Sequence, residues 1–391
     1  MKPLYRLTLC AGLAALPASV PAKSLEVTVA NPLASARASE TIEISAKDLA
    51  PLEAKNLNTI HVKDSAGTEV LTQAIDLDGD PLSTFDAILF QADFAANEKK
   101  TFTLSVGEKQ IHKRADFKAF GRFNRERRDD FAWENDLIAH RTYGNSLETW
   151  EVEPLTSSTI DIWSKRTPNM VINDWYLGDD YHTDHGDGAD FYSAGLSRGC
   201  GGSGVWANDQ LWVSRNFVNS KVLANGPIRV LFELEYAPYT IGTYSVSEKK
   251  RISLDAGRQL DRFEIHYKPF VLPAKATPIT TAAGLKKVPS EQVEVNAAEG
   301  WLVKWEKVEK NAGNQGLAII ANPGSFDKNL TDSLNQLVLL KNTPDHTATY
   351  WAGFAWDKAG KITDAAAWKT YVSDFSKALA APLDVKISPV K

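Results

Sequence analysis

The chain has 391 residues, of which 43% are hydrophobic and 24% charged, with a formal net charge of −5. This composition is typical of a globular protein, excludes a disordered chain, and provides enough residues for two domains. A net acidic chain without a basic tract also argues against a nucleic-acid-binding protein.

The first 22 residues have the pattern of an export signal. Lys2 and Arg6 form a charged start, LTLCAGLAAL is a short apolar run, and VPA ending at Ala22 is a small-residue cleavage site. The apolar run is too short to span a bilayer. We therefore expect a periplasmic or secreted protein without a membrane span. After cleavage only Cys200 remains, so no internal disulfide can form.

Residues 23–112 predict a small N-terminal β-sandwich. Segments such as LEVTVAN, ETIEISA and KTFTLSV alternate apolar and polar residues between Gly, Asn and Asp turns. One connection, DLDGDPLSTFD, places Asp76, Asp78 and Asp80 at alternate positions, with Asp86 beyond them. Closely spaced carboxylates suit calcium. However, Gly79 does not fit an EF-hand and the bidentate glutamate is missing, so an acidic hairpin loop is the alternative.

Residues 113–391 predict a second, larger domain of longer strands. Runs such as IRVLFELEY, SVSEKKRISLD and GLAIIAN suit two large antiparallel sheets stacked on one another, a β-supersandwich. A single long helix is expected near the end, capped by Thr363 or Asp364 and stopped by Pro382. Its apolar stripe consists of Trp368, Val372, Phe375 and Leu379. LDVKI then predicts a last strand, and the fold class as a whole is all-β.

A first candidate site lies in GRFNRERRDDFAWENDLIAHRTYG, residues 121–144. Large aromatic residues are interleaved with its charges, which a purely solvated loop with internal ion pairs would not need. Arginine binds carboxylates through two parallel hydrogen bonds, so this segment suits an acidic sugar. The candidate substrate-binding residues are Arg122, Arg125, Arg128, Asp130, Trp133, Glu134, Asn135 and His140.

A second candidate site is DDYHTDHGDGADFYSAGLSRGCGGSGVW, residues 179–206, interpreted as a glycine-rich active-site loop. His182 and His185 are candidates for proton transfer, oriented by an aspartate. Together with Asp187 they would also suit a transition metal, so a divalent ion is one candidate cofactor. Loop histidines bonded to backbone are the third possibility. Cys200 is expected to be a small buried residue. Further candidate substrate-binding residues in and around this stretch are Trp175, Asp187, Asp190, Trp206 and Arg215.

These two segments, with KVLANGPIRVLFELEY and VSEKKRISLDAGRQLDRFEIHY, resemble an uncharacterised family of exported bacterial proteins. Genes of that family accompany polysaccharide lyases and unsaturated-glycuronyl hydrolases. The resemblance covers nearly the whole mature chain. It extends to an oligosaccharide dehydratase of the degradation of ulvan, a uronate-containing polysaccharide. The hairpin at 221–236 and the KRISLDAG strand look like the galactose-mutarotase-like supersandwich.

The resemblance implies β-elimination on a uronate-containing, acidic oligosaccharide, by loss of water or by cleavage of a C4–O bond. The arginines with Asn135 would neutralise the substrate carboxylate. His185 or His182 would be the base near C5, and Tyr192 or Tyr143 the acid near the leaving oxygen.

Three alternatives remain open at this stage. An aldose epimerase would use a histidine and a carboxylate, but it would leave the arginines unexplained. A glycoside hydrolase would use a carboxylate pair. A non-catalytic carbohydrate-binding protein would use tryptophan faces and polar rims. The carboxylates available for such a pair are Asp129, Asp130, Glu134, Asp187 and Asp190.

Overall fold

The computed structural model describes residues 23–80, 85–152, 154–178, 180–270 and 279–390. Strands make up 51% of it and helices 13%, which confirms the all-β prediction. Within the described ranges, every helix is too short or too polar to cross a bilayer. The export signal expected over residues 1–22 lies outside the described residues.

The N-terminal region forms a small sandwich of two antiparallel sheets. Its strands are β1 (Ser24–Ala30), β2 (Arg37–Ser45), β3 (Ile60–Lys63), β4 (Glu69–Val70), β5 (Thr72–Ile75), β6 (Ala87–Phe94) and β7 (Lys99–Val106), with a short helix α1 (Ala46–Leu49). Strands β2, β6 and β5 form one sheet, and β1, β7, β3 and β4 belong to the other. Alternate residues of β1 point inward, so Leu25, Val27 and Val29 are buried while Glu26 is exposed.

The chain returns to this sandwich at its end. A last strand, Asp384–Pro389, forms where LDVKI predicts one. It pairs antiparallel with β1, Val27 lying opposite Ile387. The final strand therefore completes the N-terminal sheet rather than a sheet of residues 113–391.

The larger region consists of longer strands. They are β8 (Ala119–Asn124), β9 (Asp130–Asn135), β10 (Ala139–Tyr143), β11 (Asp161–Lys165), β12 (Gly188–Ala189), β13 (Cys200–Ala207), β14 (Gln210–Trp212), β15 (Phe217–Asn225), β16 (Arg229–Ile241), β17 (Tyr244–Asp255), β18 (Leu260–Pro269), β19 (Thr280–Lys286), β20 (Gln292–Asn296), β21 (Trp301–Lys307), β22 (Asn314–Ala321), β23 (Phe326–Thr331), β24 (Asn335–Lys341) and β25 (Thr347–Trp356), after which Asp384–Pro389 is β26. Single 3-10 turns occur at Ala50–Leu52, Leu57–Thr59, Arg114–Asp116, Asn145–Thr149, Glu309–Asn311 and Asp357–Ala359.

These strands build a sandwich around one large core. An eight-stranded sheet, β15-β16-β17-β18-β25-β22-β21-β20, faces two five-stranded sheets, β12-β11-β10-β9-β8 and β14-β13-β19-β24-β23. Phe131 of β9 stacks on Phe232 of β16 with ring centroids 4.2 Å apart. The Tyr350 hydroxyl of β25 donates to the Gly201 carbonyl of β13 at 2.7 Å. The core thus lies between the sheets, as the alternating pattern predicts.

The C-terminal helix α3 (Ala365–Ala380) confirms its sequence signals. Asp364 is the N-cap, and its carboxylate accepts from the Ala367 amide at 2.9 Å. Trp368 and Val372 are buried on the outer face of the eight-stranded sheet, against β21 and β22. The helix therefore covers the side of that sheet that faces away from the sandwich core.

The segment 167–210 is more ordered than an active-site loop. Ile172–Gly178 forms helix α2, and CGGSGVWA forms the strand β13, whose first six residues are buried. The glycines of β13 serve packing, since a Cβ on Gly202 would lie 2.5 Å from the Arg198 carbonyl and one on Gly204 would lie 2.7 Å from the Trp212 carbonyl. The part of the predicted glycine-rich loop that forms β13 is therefore a packed strand.

Candidate active site

Strands β9, β10 and β11 present two chemically different faces. Because side chains alternate along a strand, Phe131, His140 and Ile162 point into the sandwich core. The residues next to them point outward, toward α2 and the segment 180–190. Antiparallel register places Tyr143 opposite Asp130 and Arg141 opposite Asp161. The outer face thus gathers two carboxylates, a guanidinium and a phenol that are spread over 32 positions of sequence.

Arg141 is the centre of this face. Its Nε donates to Asp161 Oδ2 at 2.8 Å and its Nη2 donates to Asp190 Oδ2 at 2.8 Å. Its Nη1 lies 3.8 Å from Asp130 Oδ2, and Arg127 Nη1 lies 3.3 Å from the same oxygen. All five side chains are at least nine-tenths buried. Burying charges costs desolvation free energy, and the mutual pairing of these groups offsets that cost.

Aromatic side chains enclose these charges. The Tyr143 hydroxyl donates to Asp161 Oδ2 at 2.7 Å, and the Tyr176 hydroxyl, from α2, donates to Asp130 Oδ2 at 3.0 Å. The Arg141 guanidinium lies 5.5 Å from the ring centres of both Trp163 and Tyr181. We call this set the Arg141 cluster, with the members Arg127, Asp130, Arg141, Tyr143, Asp161, Trp163, Tyr176, Tyr181 and Asp190.

Burial shifts the acid–base behaviour of the cluster. It raises the pKa of Asp190 to about 7, although the Arg141 guanidinium opposes the shift. It likewise raises the pKa of Asp130 to about 6, against Arg141 and Arg127. Burial and the neighbouring Asp161 carboxylate hold the pKa of the Tyr143 phenol well above its usual range. Asp190 can therefore both hold and release a proton near neutral pH, while Tyr143 keeps its proton.

Three polar atoms of the cluster lack an internal hydrogen bond. Among the described residues, Arg141 Nη1, Asp130 Oδ1 and Trp163 Nε1 are buried without a hydrogen-bond partner. Native proteins satisfy nearly all such groups with protein, water or ligand. These three atoms are therefore where a polar ligand would gain most from binding.

His182 forms the rim of the cluster. Its side chain is 54% exposed, and its Nδ1 lies 3.5 Å from Asp190 Oδ2 and 3.2 Å from the Asp190 carbonyl oxygen. Arg128 and Trp150 lie nearby, with the Arg128 guanidinium 5.7 Å from the Trp150 ring centre and that of Arg127 6.0 Å from it. A histidine thus stands between solvent and a buried carboxyl group that titrates near neutral pH.

The second histidine of the same stretch lies elsewhere. His185 is exposed, and its Nε2 lies 3.0 Å from Asp180 Oδ2, another exposed group. Asp187 is exposed as well, and its carbonyl accepts from the Arg166 amide. The structure therefore brings His182, but neither His185 nor Asp187, to the Arg141 cluster.

Glu134 and Lys165 position α2 over the cluster. The Glu134 carboxylate accepts from the amides of Val171 and Ile172, each at 2.9 Å, at the start of the helix. Lys165 Nζ donates to the same carboxylate at 2.7 Å, and both side chains are fully buried. Glu134, predicted to bind substrate, is occupied by these internal contacts and orients the helix that carries Tyr176.

Three other predicted substrate-binding residues lie on the core face. Trp133 Nε1 donates to Asp261 Oδ1 at 2.6 Å, and His140 Nε2 lies 2.9 Å from Asp261 Oδ2. The Asn135 amide donates to the carbonyls of Asp255 and Arg258, each at 2.7 Å. All three are enclosed in the sandwich core and bonded to its residues, so their polar groups stabilise the fold.

The predicted arginines of residues 121–144 are spread around the cluster rather than gathered in it. Arg122 donates to Glu126 and Asn173, and its guanidinium lies 5.8 Å from the Tyr176 ring centre. Arg125 is exposed, and Arg128 reaches the rim. Outside that segment, Arg215 pairs with Glu148 on the surface.

The remaining aromatic candidates lie apart from one another. Tyr192 is buried, with Lys286 Nζ 5.3 Å from its ring centre. Trp206 is half-buried beside Leu211, on β13 and β14. Trp175 is close to the cluster, with its ring 5.3 Å from that of Trp163. Tyr143 is the predicted tyrosine whose side chain belongs to the cluster, whereas Tyr192 contacts it through its backbone amide, which donates to Asp190 Oδ1 at 3.3 Å.

The two candidate metal sites differ in geometry. Asp76, Asp78 and Asp86 each offer an oxygen, and these atoms lie within 4.8 Å of one another. Asp80 is not part of that group. In the described ranges, His182, His185 and Asp187 form no such group, because the two histidines face different aspartates. The transition-metal hypothesis is therefore unsupported by the arrangement of its residues, and calcium binding at 76–86 stays a prediction.

Sequence reasoning missed most of the cluster. Arg127, Arg141, Asp161, Trp163, Tyr176 and Tyr181 were not selected as site residues. A signal was present: AHRTY and DIWSK place the charged residues Arg141, Asp161 and Lys165 in short strands that also carry large aromatic residues. Charged residues are almost never buried without partners, so charges in two neighbouring strands of this kind indicate a buried ion pair.

Comparison with known proteins supports a family assignment. Residues 29–385 match the family described as Domain of unknown function (DUF4861). The chain is 34% identical over 377 residues to "Uncharacterized protein P7" of Formosa agariphila, an alignment that covers 92% of this chain and 93% of the relative.

Two solved structures from Enterococcus faecalis share part of the chain path. One is an alpha-mannosidase, 10% identical with a TM-score of 0.48, covering 93% of this chain and 46% of that one. The other is a protein of glycosyl hydrolase family 38, 11% identical with a TM-score of 0.49, covering 95% and 48%. This chain thus spans about half the length of those structures, and no statement about activity follows from a likeness of this degree.

Proposed function

Because the chain belongs to the DUF4861 family, whose description assigns no activity, we propose its function from the site itself. The protein is a carbohydrate-active carbon–oxygen lyase that acts on uronate-containing oligosaccharides in the periplasm or outside the cell. Either water or a sugar leaves from C4. The observation that carries this proposal is the Arg141 cluster with His182 at its rim: buried guanidinium groups lie beside a carboxyl group whose pKa is about 7.

The guanidinium groups suit the carboxylate of a uronate. Removal of the C5 proton places negative charge on the adjacent carboxylate, and a buried cation stabilises that charge in the transition state. Arg141 Nη1 has no hydrogen-bond partner among the described residues, and Arg127 lies on the other side of Asp130. We assign the substrate carboxylate to Arg141 Nη1, the charged donor among the described cluster atoms that lack a hydrogen bond.

His182 is assigned the base and Tyr143 the acid. His182 Nδ1 faces Asp190, so Nε2 is the atom that takes the C5 proton, and Asp190 orients the ring. The C5–H electron pair forms the C4=C5 double bond as the C4–O bond breaks. Tyr143 retains its proton at neutral pH and donates it to the leaving oxygen, which departs as water or as a sugar hydroxyl.

Paired histidine variants test this assignment. Saturated ulvan oligosaccharides are incubated with the purified mature protein, while ultraviolet absorbance follows the C4=C5 bond and mass spectrometry weighs the products. His182→Ala should lower turnover by about 10²–10⁴-fold, the usual contribution of a general base. His185→Ala, matched in residue type and loop, should stay within about twofold. Equal turnover of both variants and wild type would exclude His182 as the base.

Glycoside hydrolysis is the second candidate, favoured by one observation. Asp130 and Asp190 both have raised pKa values, about 6 and about 7, and both approach Arg141. A carboxylic acid that keeps its proton near pH 6 is what a glycosidase uses to protonate the leaving oxygen. The same mass spectra separate the candidates, since hydrolysis adds one water without ultraviolet absorbance, whereas dehydration removes one.

A further inference from the structure

A large groove lies beside the Arg141 cluster, on the opposite side of Arg122. Its volume is about 1100 Å³, more than the upper range for a pocket that encloses one drug-sized ligand. We propose that this groove, termed the α2 groove, binds the further sugar units of an acidic oligosaccharide whose uronate occupies the cluster. This inference rests on the proposed function. The groove is lined by Arg114, Ala115, Phe117, Lys118, Phe120, Asp136, Pro168, Asn169, Met170, Asn173, Asp174 and Asn225.

The chemistry of the lining suits a charged sugar chain. Arg114 and Lys118 are exposed, and within the described ranges neither side chain has an ion-pair or hydrogen-bond partner. Such cations are free to bind carboxylate or sulfate groups without first breaking an internal pair. Asn169, Asn173 and Asp174 on the other wall provide the amide and carboxylate groups that recognise sugar hydroxyls.

Aromatic rings add a surface on which a sugar can stack. Phe117 is 36% exposed although it is a large apolar residue, and Phe120 is half-buried in the same groove. Exposed aromatic rings flanked by polar groups are a feature of ligand-binding clefts. The groove thus offers aromatic rings for the apolar face of a pyranose ring and polar side chains for its hydroxyl groups.

Arg122 and α2 connect the groove to the cluster. Arg122 Nε donates to Asn173 Oδ1 at 2.7 Å, and Asn173 lines the groove. The same guanidinium lies 5.8 Å from the ring centre of Tyr176, whose hydroxyl donates to Asp130 at 3.0 Å. A chain that leaves the cluster past Tyr176 and Arg122 therefore reaches the groove across one helical turn of α2.

The test measures binding as a function of oligosaccharide length. Calorimetric titration uses the full mature chain carrying His182→Ala, so that the sugars stay intact, with saturated ulvan oligosaccharides of two, four and six units. We expect at least a tenfold gain in affinity from two units to six. Adding Lys118→Ser or Asn173→Ala should reduce the hexasaccharide affinity to near that of the disaccharide. Lys328→Ser, an exposed lysine on β23, is the matched control and should keep the gain.

The outcomes separate the groove from the reaction. An affinity independent of length, or a gain that survives Lys118→Ser and Asn173→Ala, overturns the groove even if wild type turns the sugars over. A gain that depends on Lys118 and Asn173 supports the groove even if wild type forms no double bond, a result that would overturn the lyase alone.

Discussion

Two histidine–aspartate pairs lie in different regions of the same domain, one on the core face of β10 and one at the rim of the Arg141 cluster. His140 and Asp261 lie 2.9 Å apart with both side chains fully buried, and the imidazole stacks on Trp133 at 5.2 Å between ring centres. His182 and Asp190 lie 3.5 Å apart, with the histidine 54% and the aspartate 1% exposed. The residue types are the same, and the surroundings differ.

The difference shows what suits a histidine–aspartate pair to proton transfer rather than to a structural role. The core pair has packed rings on its histidine and a Trp133 N–H on its aspartate, so neither residue can meet a ligand. The rim pair has a solvent-facing imidazole next to a carboxyl group whose pKa is raised by burial to about 7. Access on one side and desolvation on the other is the combination that proton transfer requires.

Replacing Arg141 should have the largest effect, because it removes the cation that three buried carboxylates face. Arg141→Ala is expected to lower the free energy of unfolding by about 3–5 kcal/mol, the usual cost of leaving buried charges unpaired. Urea denaturation followed by tryptophan fluorescence measures it. Arg122→Ala, which removes a half-buried arginine outside the cluster, is the control. A loss below about 1 kcal/mol would mean that the cluster is not held together by this residue.

Replacing His140 should destabilise the protein much more than replacing His182. His140→Ala leaves the buried Asp261 carboxylate without its imidazole partner and is expected to cost about 3 kcal/mol. His182→Ala should change the free energy of unfolding by no more than about 0.5 kcal/mol, since its ring is half exposed. Thermal and urea unfolding of both variants measure the contrast. Equal destabilisation by the two substitutions would contradict the division between core face and rim.

The free energy of unfolding should also depend on pH, through Asp130 and Asp190. A raised pKa means that the folded protein binds these protons more tightly than the unfolded chain. The contribution of Asp130 and Asp190 is therefore fully present below about pH 4 and is lost as the pH rises through about 6 and about 7. The free energy of unfolding should fall over this range, by at most about 1.4 kcal/mol per pH unit for each carboxyl group.

Asp190→Asn tests this contribution, because the variant lacks one of the two titrating groups. Urea unfolding at intervals from pH 4 to pH 8 should give a shallower fall for the variant than for wild type. Asp187→Asn, an exposed neighbour in the same segment, should keep the wild-type slope. An unchanged slope in Asp190→Asn would assign the pH dependence to other groups.

Local patterns were reliable where the element itself is local. Alternation in LEVTVAN predicts β1 and its buried residues, and the spacing of Trp368 and Val372 after Asp364 predicts α3. The glycine-rich run CGGSGVWA was interpreted as part of a loop, but it forms the strand β13. Glycine serves both close packing and flexible loops, so the sequence alone does not distinguish them. Only the neighbours of Gly202 and Gly204 in the fold distinguish the two uses.

The sequence by itself determined the all-β class, the C-terminal helix, and which segments carry the unusual density of charge and aromatic residues. The tertiary structure alone decided which of those residues meet. Arg141 donates hydrogen bonds to Asp161 and Asp190, which lie 20 and 49 residues away in the sequence. His140, its immediate neighbour, lies on the opposite face of the same strand. The physical reason is that a strand alternates its side chains between two faces, and only the register of its partners and the layer packed on each face decide whether a face becomes core or site.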